Sequence, residues 1–279
     1  MKNFALPKYS AILAALTIFF GPPALAQKIT IHYQPVAREI VERRLRTAGS
    51  NDAQREQTLK ELFQDAGCRG EHLTEQPVKH ERVPNLVCAQ PGTTDGVIIV
   101  GGHMDHVKAG QGVVDDWSGA SLLPTLFESL QQEPRRHTFI FVGFTNEEDG
   151  LVGSRFYLKQ LTPEQKSKIS AMVNLECLGV TPTKVWASHA DAKLLNGIAS
   201  IALSMHLPLT AVNVDGAGDD DADSFRARKI PTLTIHSLTQ DTWSIIHSPR
   251  DNFSAINLDN YYNSYSLIAA YLAYLDSVL

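Results

Sequence analysis

The sequence predicts an α/β fold in which a mostly parallel, mixed sheet is covered by helices on both faces. Short runs of apolar, β-branched and aromatic residues recur along the chain, and segments with helical periodicity separate them. Strands that are apolar along their whole length are buried on both faces, as in sheets covered by helices. The chain has 279 residues, 43% of them hydrophobic, which suits one such domain at residues 27–279.

The N-terminal part of this domain, residues 27–70, is predicted to be helical. One helix is expected over residues 36–48. A second helix is expected to begin after Asn51 or Asp52, which are good N-caps, and to end before Gly67.

The sheet and its covering helices follow in alternation. Buried strands are predicted at 97–100, 139–142, 171–175 and 232–235, and a short strand at 184–187. Helices are predicted at 118–130, 151–160, 191–205 and 258–279. The first of these helices should be kinked, because Pro124 cannot donate a backbone hydrogen bond.

Composition and charge exclude two classes of protein. The chain has 25 Lys and Arg against 30 Asp and Glu, for a net charge of −5. There is no positive excess to neutralise phosphates, so a basic nucleic-acid-binding protein is excluded. An ordinary apolar fraction with only 20% charged residues excludes a disordered chain.

The first 26 residues have the pattern of a cleaved signal peptide. Lys2 and Lys8 precede an apolar run at 11–20, and a small-x-small site at 24–26 follows it. That run is too short to span a bilayer, although a single N-terminal anchor helix is the alternative. Cleavage would leave 23 basic against 30 acidic residues, a charge of −7. We therefore expect a secreted or periplasmic protein that is not held in a membrane after cleavage.

Three cysteines remain after this segment, so one is left over if two of them pair in an oxidising compartment. We expect a disulfide between Cys68 and Cys88, because both flank an irregular stretch before the sheet. Closing a loop of that size could contribute about 3 kcal/mol. Cys177 lies in an apolar run and is expected to be a small buried hydrophobic residue.

Histidines and carboxylates follow the predicted buried strands, and one acidic pair lies between the first two strands. These residues are His103, Asp105, Asp115, Asp116, Glu147, Glu148, Glu176, His247 and Asp251. Ligand sites in such sheets lie at the carboxyl ends of the strands, so we expect these side chains to converge. Imidazole and carboxylate together suit Zn²⁺, and a carboxylate can bridge two cations through its two oxygens.

Each piece alone has a simpler interpretation. His103 and Asp105 could form an ordinary polar pair, residues 147–148 a solvated pair of charges, and residues 115–116 a helix cap. Five such sites in succession, each after a buried strand or at the start of a helix, are hard to obtain by chance. Their conjunction favours a metal centre.

At this point the sequence resembles the co-catalytic zinc aminopeptidases related to bacterial leucine aminopeptidase and glutamate carboxypeptidase. The resemblance covers residues 83–279. Its most specific piece is Glu-Glu-x-Gly-Leu-x-Gly-Ser at 147–154. The other matching pieces are Gly-His-Met-Asp at 102–105, Asp-Asp-Trp-Ser-Gly at 115–119, Asn-Leu-Glu at 174–176, Asp-Ala-Asp-Ser-Phe at 221–225, Ile-Pro at 230–231 and His-Ser-Pro-Arg-Asp at 247–251.

The resemblance implies a set of metal ligands. One Zn²⁺ would be held by His103 and Glu176, a second by Glu148 and His247, and Asp115 would bridge both. The family usually has Asp where this chain has Glu176, so a single bound zinc ion is the alternative to two. Two metal ions about 3.5–4 Å apart can lower the pKa of a water and polarise a carbonyl.

The resemblance also implies roles for residues around the metals. Glu147 would be the general base that takes the proton of the water. Asp105 would accept the second N–H of His103, and Asp251 would support His247 in the same way. The bond between Asp115 and Asp116 would be cis, with Asp116 beside the ligands.

Together these features predict a zinc-dependent exopeptidase whose partner is a peptide substrate, from which it removes N-terminal amino acids. A glutaminyl cyclase with one zinc ion is the nearest alternative, but that group carries a longer insert after the Glu-Glu pair than the four residues 149–152. A metal-free binding module is a third possibility. The Asp-rich loop at 215–223 is either a solvated loop, a group that binds the substrate amine, or a calcium site.

Overall fold

The computed structural model describes residues 14–20, 27–214 and 218–279. Its strands are β1 (Ala14–Phe20), β2 (Gln27–Tyr33), β3 (Leu73–Gln76), β4 (Asn85–Gln90), β5 (Val97–His103), β6 (Thr138–Phe144), β7 (Ile169–Leu175), β8 (Lys184–Val185), β9 (Thr210–Ala211) and β10 (Thr232–His236). Its α-helices are α1 (Arg38–Leu45), α2 (Asp52–Asp65), α3 (Ser118–Ala120), α4 (Leu123–Leu130), α5 (Val152–Gln160), α6 (Pro163–Ser167), α7 (Ala192–Met205), α8 (Asp221–Arg226) and α9 (Leu258–Val278).

Eight strands form one mixed sheet, in the order β3-β4-β6-β5-β7-β10-β8-β9. Four of the seven neighbouring pairs are parallel, namely β5 with β6, β5 with β7, β7 with β10 and β8 with β9. The other three pairs are antiparallel. The predicted mostly parallel, mixed sheet is therefore confirmed.

Helices cover both faces of this sheet. Along β5, Ile98 and Val100 belong to one apolar cluster and Ile99 to another, as expected because successive side chains point to opposite faces. The larger cluster includes residues of α2, α4, α7 and α9, and the smaller one includes Tyr157 of α5 and Phe225 of α8. The central strands of the sheet are thus buried on both sides.

The N-terminal segment is only partly helical, as two of its helices are where the sequence placed them. Helix α2 begins after Asn51, whose side chain accepts a hydrogen bond from the N–H of Gln54. The segment does not begin as a helix, however, because β2 occupies its first seven residues and pairs with β1. Alternation of Ile29 and Ile31 with polar residues is a period-two pattern, which favours a strand.

Two further departures concern the sheet edge and a proline. Strands β3 and β4 extend the sheet by antiparallel pairing and were missed, since Asn85 and Gln90 make β4 too polar to stand out from its sequence. The predicted helix at 118–130 is two helices, not one kinked helix. Pro124 lies in the first turn of α4, where its missing N–H has no intrahelical partner to lose.

The disulfide between Cys68 and Cys88 is confirmed, and it joins the end of α2 to β4. Cys177 is free and buried. The predicted signal peptide at 1–26 lies outside the described residues except for β1, so its cleavage stays a prediction. Among the described helices, none is at once long and apolar enough to cross a bilayer.

Candidate metal centre

Neighbouring strand ends bring the predicted side chains to one edge of the sheet. His103 is the last residue of β5, and Glu176 directly follows β7, its parallel neighbour. On the other side of β5, Glu147 and Glu148 lie three and four residues after β6. His247 comes from the loop after β10. The carboxyl ends of parallel strands meet at one edge, which explains why residues so distant in sequence converge.

Asp115 reaches this edge from a distorted turn at Val113–Trp117, and its bond to Asp116 is cis. The carboxylate of Asp116 points back into the protein and accepts hydrogen bonds from the N–H groups of His103, Gly119 and Cys177, at 3.0 to 3.2 Å. A Cβ at Gly119 would lie 2.5 Å from this carboxylate, so the turn leaves room only for glycine there. Asp116 therefore fixes the backbone of two strand ends that carry predicted ligands.

Two groups of predicted ligands share Asp115. In the first, Nε2 of His103 lies 3.0 Å from Oδ1 of Asp115 and 3.6 Å from Oε1 of Glu176. In the second, Nε2 of His247 lies 3.1 Å from Oδ2 of Asp115 and 2.9 Å from Oε2 of Glu148. The two oxygens of Asp115 thus face different groups, which is the arrangement of a bridging carboxylate.

The donor atoms fit Zn²⁺. Two tetrahedral ligands bound about 2.1 Å from zinc are roughly 3.4 Å apart, close to the separations within both groups. Imidazole nitrogen and carboxylate oxygen are also ligands that zinc prefers. Oε1 of Glu148 is buried without a hydrogen-bond partner among the described residues, and such an oxygen atom is suited to contact a bound cation.

The electrostatics of the cluster favour a bound cation. Burial, together with nearby Asp221 and Glu176, raises the pKa of the Glu147 carboxyl to about 10. Burial likewise raises the pKa of Glu148 to about 7, and Asp115 adds to this effect. Crowded carboxylates disfavour their own charged forms, and a divalent cation among them would reverse that preference.

Asp105 holds the two glutamates in place through their backbone. Its Oδ1 accepts the N–H of Glu147 at 3.0 Å, and its Oδ2 accepts the N–H of Glu148 at 3.1 Å. The predicted contact with His103 takes a different form. Nδ1 of His103 lies 3.2 Å from the backbone oxygen of Asp105 and 3.5 Å from its carboxylate. A proton on Nδ1 leaves the Nε2 lone pair facing the other ligands.

Asp251 supports Asp115 and not His247, as its contacts show. Its carboxylate accepts the N–H of Val114 at 2.7 Å and the N–H of Asp115 at 3.3 Å. The ring of His247 is half exposed, and it is held by Asp115 and Glu148. Asp115 raises the pKa of His247 to about 9, first through their hydrogen bond.

The structure adds a residue that sequence reasoning missed. Arg55 of α2 is fully buried and donates hydrogen bonds to the carbonyl oxygens of Met104, Gln111 and Gly112, at 2.5 to 3.1 Å. It thereby fixes the loop between β5 and Asp115. An arginine within an ordinary polar helix carries no sequence signal of this role.

A cavity of about 310 Å³ lies over the predicted ligands and Glu147. One wall is apolar and includes Trp186, Leu238, Trp243 and Ile246. Part of the Asp-rich loop lines the cavity too, through Asp219 and Asp220.

The Asp-rich loop is not simply a solvated loop. Asp220 is buried and accepts a hydrogen bond from Thr234 of β10 at 2.5 Å, and burial raises its pKa to about 7. Asp221 is buried as well, and burial raises its pKa to about 8. Asp219 is exposed, and Asp215 lies outside the described residues.

Comparison with protein families shows to which family the chain belongs. The model of Peptidase family M28 matches residues 85–272, which is more than half of the chain. The chain belongs to Peptidase family M28. The predicted ligands and Glu147 all lie within the matched region, so the family assignment and the geometry concern the same part of the molecule.

Named relatives of this M28 chain include peptidases from bacteria and fungi. It is 28% identical over 157 residues to leupeptin-inactivating enzyme 1 of Streptomyces exfoliatus, covering 55% of this chain and 35% of that one. It is 29% identical over 151 residues to aminopeptidase Y of Saccharomyces cerevisiae, covering 51% and 28%. The chain thus spans about a third of the length of these relatives.

Solved structures share the fold. The LapA aminopeptidase of Legionella pneumophila matches with a TM-score of 0.77 at 22% identity, over 88% of this chain and 73% of that one. A glutaminyl cyclase from an Acidobacteriales bacterium matches with a TM-score of 0.70 at 18% identity, over 86% and 93%. At these identities, both matches show a shared fold.

Proposed function

We propose that this protein is a zinc-dependent exopeptidase that hydrolyses N-terminal amino acids from peptides. One observation carries the proposal: two ligand groups share Asp115 beside Glu147 under a single cavity. We propose two zinc ions, one at His103 and Glu176 and the other at Glu148 and His247. The longer side chain of Glu176 still lies 3.6 Å from the His103 ring.

The residues of the chain would divide the work of hydrolysis. Bound zinc would supply the lowered pKa of a water and the polarisation of the scissile carbonyl. Glu147 would take the proton of the attacking water and pass it to the leaving amine. Its carboxylate lies 4.0 Å from Nε2 of His103, beside the ligands. Asp105 keeps it there by binding its backbone N–H.

The cavity suits the first residue of a peptide. The carboxylates that line the cavity would bind a free amino group. The apolar residues of its lining, with Trp186 and Trp243 among them, would accept an apolar side chain. Asp115 and Asp220 of the cavity lining are buried, which strengthens the attraction between charges there. An N-acetylated peptide would lack the positive charge that these carboxylates attract.

We also propose that the protein is secreted or periplasmic. The N-terminal pattern of Lys2, Lys8 and the apolar run supports this, and so does the disulfide between Cys68 and Cys88. Fractionation of the cells that produce it, with mass spectrometry of the mature N-terminus, tests the proposal. A mature chain beginning at Gln27 is expected, and a chain retaining Lys2 in the cytosol would contradict it.

A glutaminyl cyclase is the second candidate, since the matched cyclase is covered over 93% of its length. The short connection between Glu148 and α5 favours the peptidase. It consists of residues 149–151, with Gly150 and Leu151 donating hydrogen bonds to the carbonyl of Glu147. The glutaminyl cyclases carry a longer insert at this point, as the sequence resemblance implies.

One substrate panel separates these activities. Purified protein is incubated with leucyl, phenylalanyl and glutaminyl peptides, with their N-acetylated forms as controls, with and without a chelator. Chelator-sensitive release of free amino acids from unblocked peptides is expected. Cyclisation of the glutaminyl peptide alone would establish the cyclase, and chelator-resistant or absent turnover would refute the proposed metal-dependent hydrolysis.

A further inference from the structure

A basic groove leads away from the catalytic cavity along α5 and α8. Its charged residues are Arg155 and Lys159 of α5, Arg226 of α8, Arg228, Asp219 and Asp223. The groove shares Leu151, Arg155 and Asp219 with the cavity, so the two form one continuous depression. Four cations against two carboxylates make this groove positive, although the whole chain has a charge of −5.

Two of these cations are free to bind a ligand. Arg226 already pairs with Asp223, and Arg228 donates to the backbone oxygen of Ser224 at 3.1 Å. Arg155 and Lys159 are exposed, and the side chain of neither has a hydrogen-bond or ion-pair partner among the described residues. They are four residues apart on one helix, so they lie on the same face.

We propose that the basic groove binds acidic side chains of the substrate downstream of the bond that is cleaved. This rests on the proposed exopeptidase function, and it names the class of peptide the enzyme prefers. A cavity of about 310 Å³ holds little more than one residue and the scissile bond, so the rest of the peptide must leave it. The groove is continuous with the cavity and offers that path.

The charges of the catalytic cavity and of the basic groove are complementary to the two ends of such a peptide. The catalytic cavity is lined by acidic side chains, among them Glu147, Asp219 and Asp220. The groove places Arg155 and then Lys159 where the chain continues. A peptide with a free amine followed by acidic residues is complementary to both, and opposite charges orient it with its N-terminus inward.

The helix also predicts the spacing of the acidic residues. Residues four apart on an α-helix are separated by about 6 Å along its axis. An extended peptide advances about 3.3 Å per residue, and alternate side chains lie on the same side. Arg155 and Lys159 therefore fit carboxylates two residues apart, at positions three and five of the peptide.

The test uses three amidated hexapeptides that differ only at those positions: LADADA, LANANA and LAKAKA. Kinetic constants are measured for the wild-type protein and for R155E/K159E. R43E/K193E is the matched control, because Arg43 and Lys193 are exposed helix residues that line neither the catalytic cavity nor the basic groove. Binding of the same peptides, labelled at the C-terminus, is measured in parallel by fluorescence anisotropy.

The wild-type protein is expected to favour LADADA over LAKAKA by about tenfold in KM and in Kd, the sum expected from two exposed ion pairs. The preference should fall as salt is raised, because 1 M salt shortens the screening length to about 3 Å. R155E/K159E should reverse the preference between LADADA and LAKAKA, and R43E/K193E should behave as wild type, including in kcat for LANANA.

Three outcomes would overturn the proposal. The first is equal affinity for the three peptides, and the second is a preference that survives in R155E/K159E. The third is binding to vesicles with 30% anionic lipid that requires Arg155 and Lys159 without any preference among the peptides, which would make the groove a membrane contact. Failure of the exopeptidase proposal is distinguishable, since anisotropy reports the binding preference even where no peptide is cleaved.

Discussion

Replacing Asp105 by Asn tests how the glutamate pair is held. The carboxylate of Asp105 accepts one backbone N–H with each oxygen, at 3.0 Å from Glu147 and 3.1 Å from Glu148. Asparagine has nearly the same shape but only one acceptor oxygen, and its NH₂ group would face the second N–H. The backbone oxygen of Asp105 stays 3.2 Å from Nδ1 of His103, while the carboxylate oxygen 3.5 Å from the same nitrogen loses its charge.

The magnitude follows from that single lost contact. A hydrogen bond to a charged group contributes about 1.5–3 kcal/mol, and every 1.4 kcal/mol is tenfold in an equilibrium constant. We therefore expect zinc affinity to fall by about 10- to 100-fold, the range typical for residues that orient metal ligands. Turnover at saturating zinc should fall as well, because Glu147 loses the contact that positions its backbone.

Zinc affinity is measured by competition with a chelator, and turnover by release of leucine from a leucyl peptide. The matched control is Asp149→Asn, because Asp149 is an exposed carboxylate of the same loop that accepts a hydrogen bond from the Asn146 side chain. Unchanged zinc affinity and turnover in Asp105→Asn, with the fold intact by circular dichroism, would refute the assignment of Asp105 as the residue that positions the glutamates.

Three further predictions concern the base, the disulfide and the buried arginine. Glu147→Gln should bind zinc as wild type does, by elemental analysis, and lose about 10²–10⁴-fold in kcat, as expected for a lost general base. Replacing Cys68 and Cys88 by Ser should lower the free energy of unfolding in urea by about 3 kcal/mol, with Cys177→Ser as the free-thiol control. Arg55→Met should lower the unfolding free energy by about 3 kcal/mol, because three carbonyl groups, those of Met104 and Gly112 in buried contacts, lose their donor. It should also weaken zinc binding, measured by chelator competition, since the loop before the bridging carboxylate is released.

A specific result would contradict each of these three predictions. Loss of zinc from Glu147→Gln would make Glu147 a ligand in place of the base. An unchanged urea midpoint after removal of the disulfide would show that the packing of α2 on the sheet does not depend on it. Normal zinc affinity in Arg55→Met would separate the stability of the loop from the geometry of the metal centre.

The repetition of apolar runs determined the sheet, because a strand buried on both faces must be apolar along its whole length. The same logic located His103, Glu148 and Glu176 at strand ends, since polar groups in such a fold are driven to its edge. The edge strands β3 and β4 were not predicted. Only pairing with β6 makes the polar β4 a sheet strand, and no local pattern encodes that partner.

The sequence by itself determined which side chains could bind zinc and that they follow buried strands. Only the tertiary structure decided how they are held. Asp251 accepts hydrogen bonds from the backbone at Asp115 and not from His247. Arg55, from a helix distant in sequence, holds the loop between β5 and Asp115. A side chain's type and position follow from the local sequence, but its hydrogen-bond partner depends on which backbone groups packing brings within 3 Å. That packing is set by the whole chain at once.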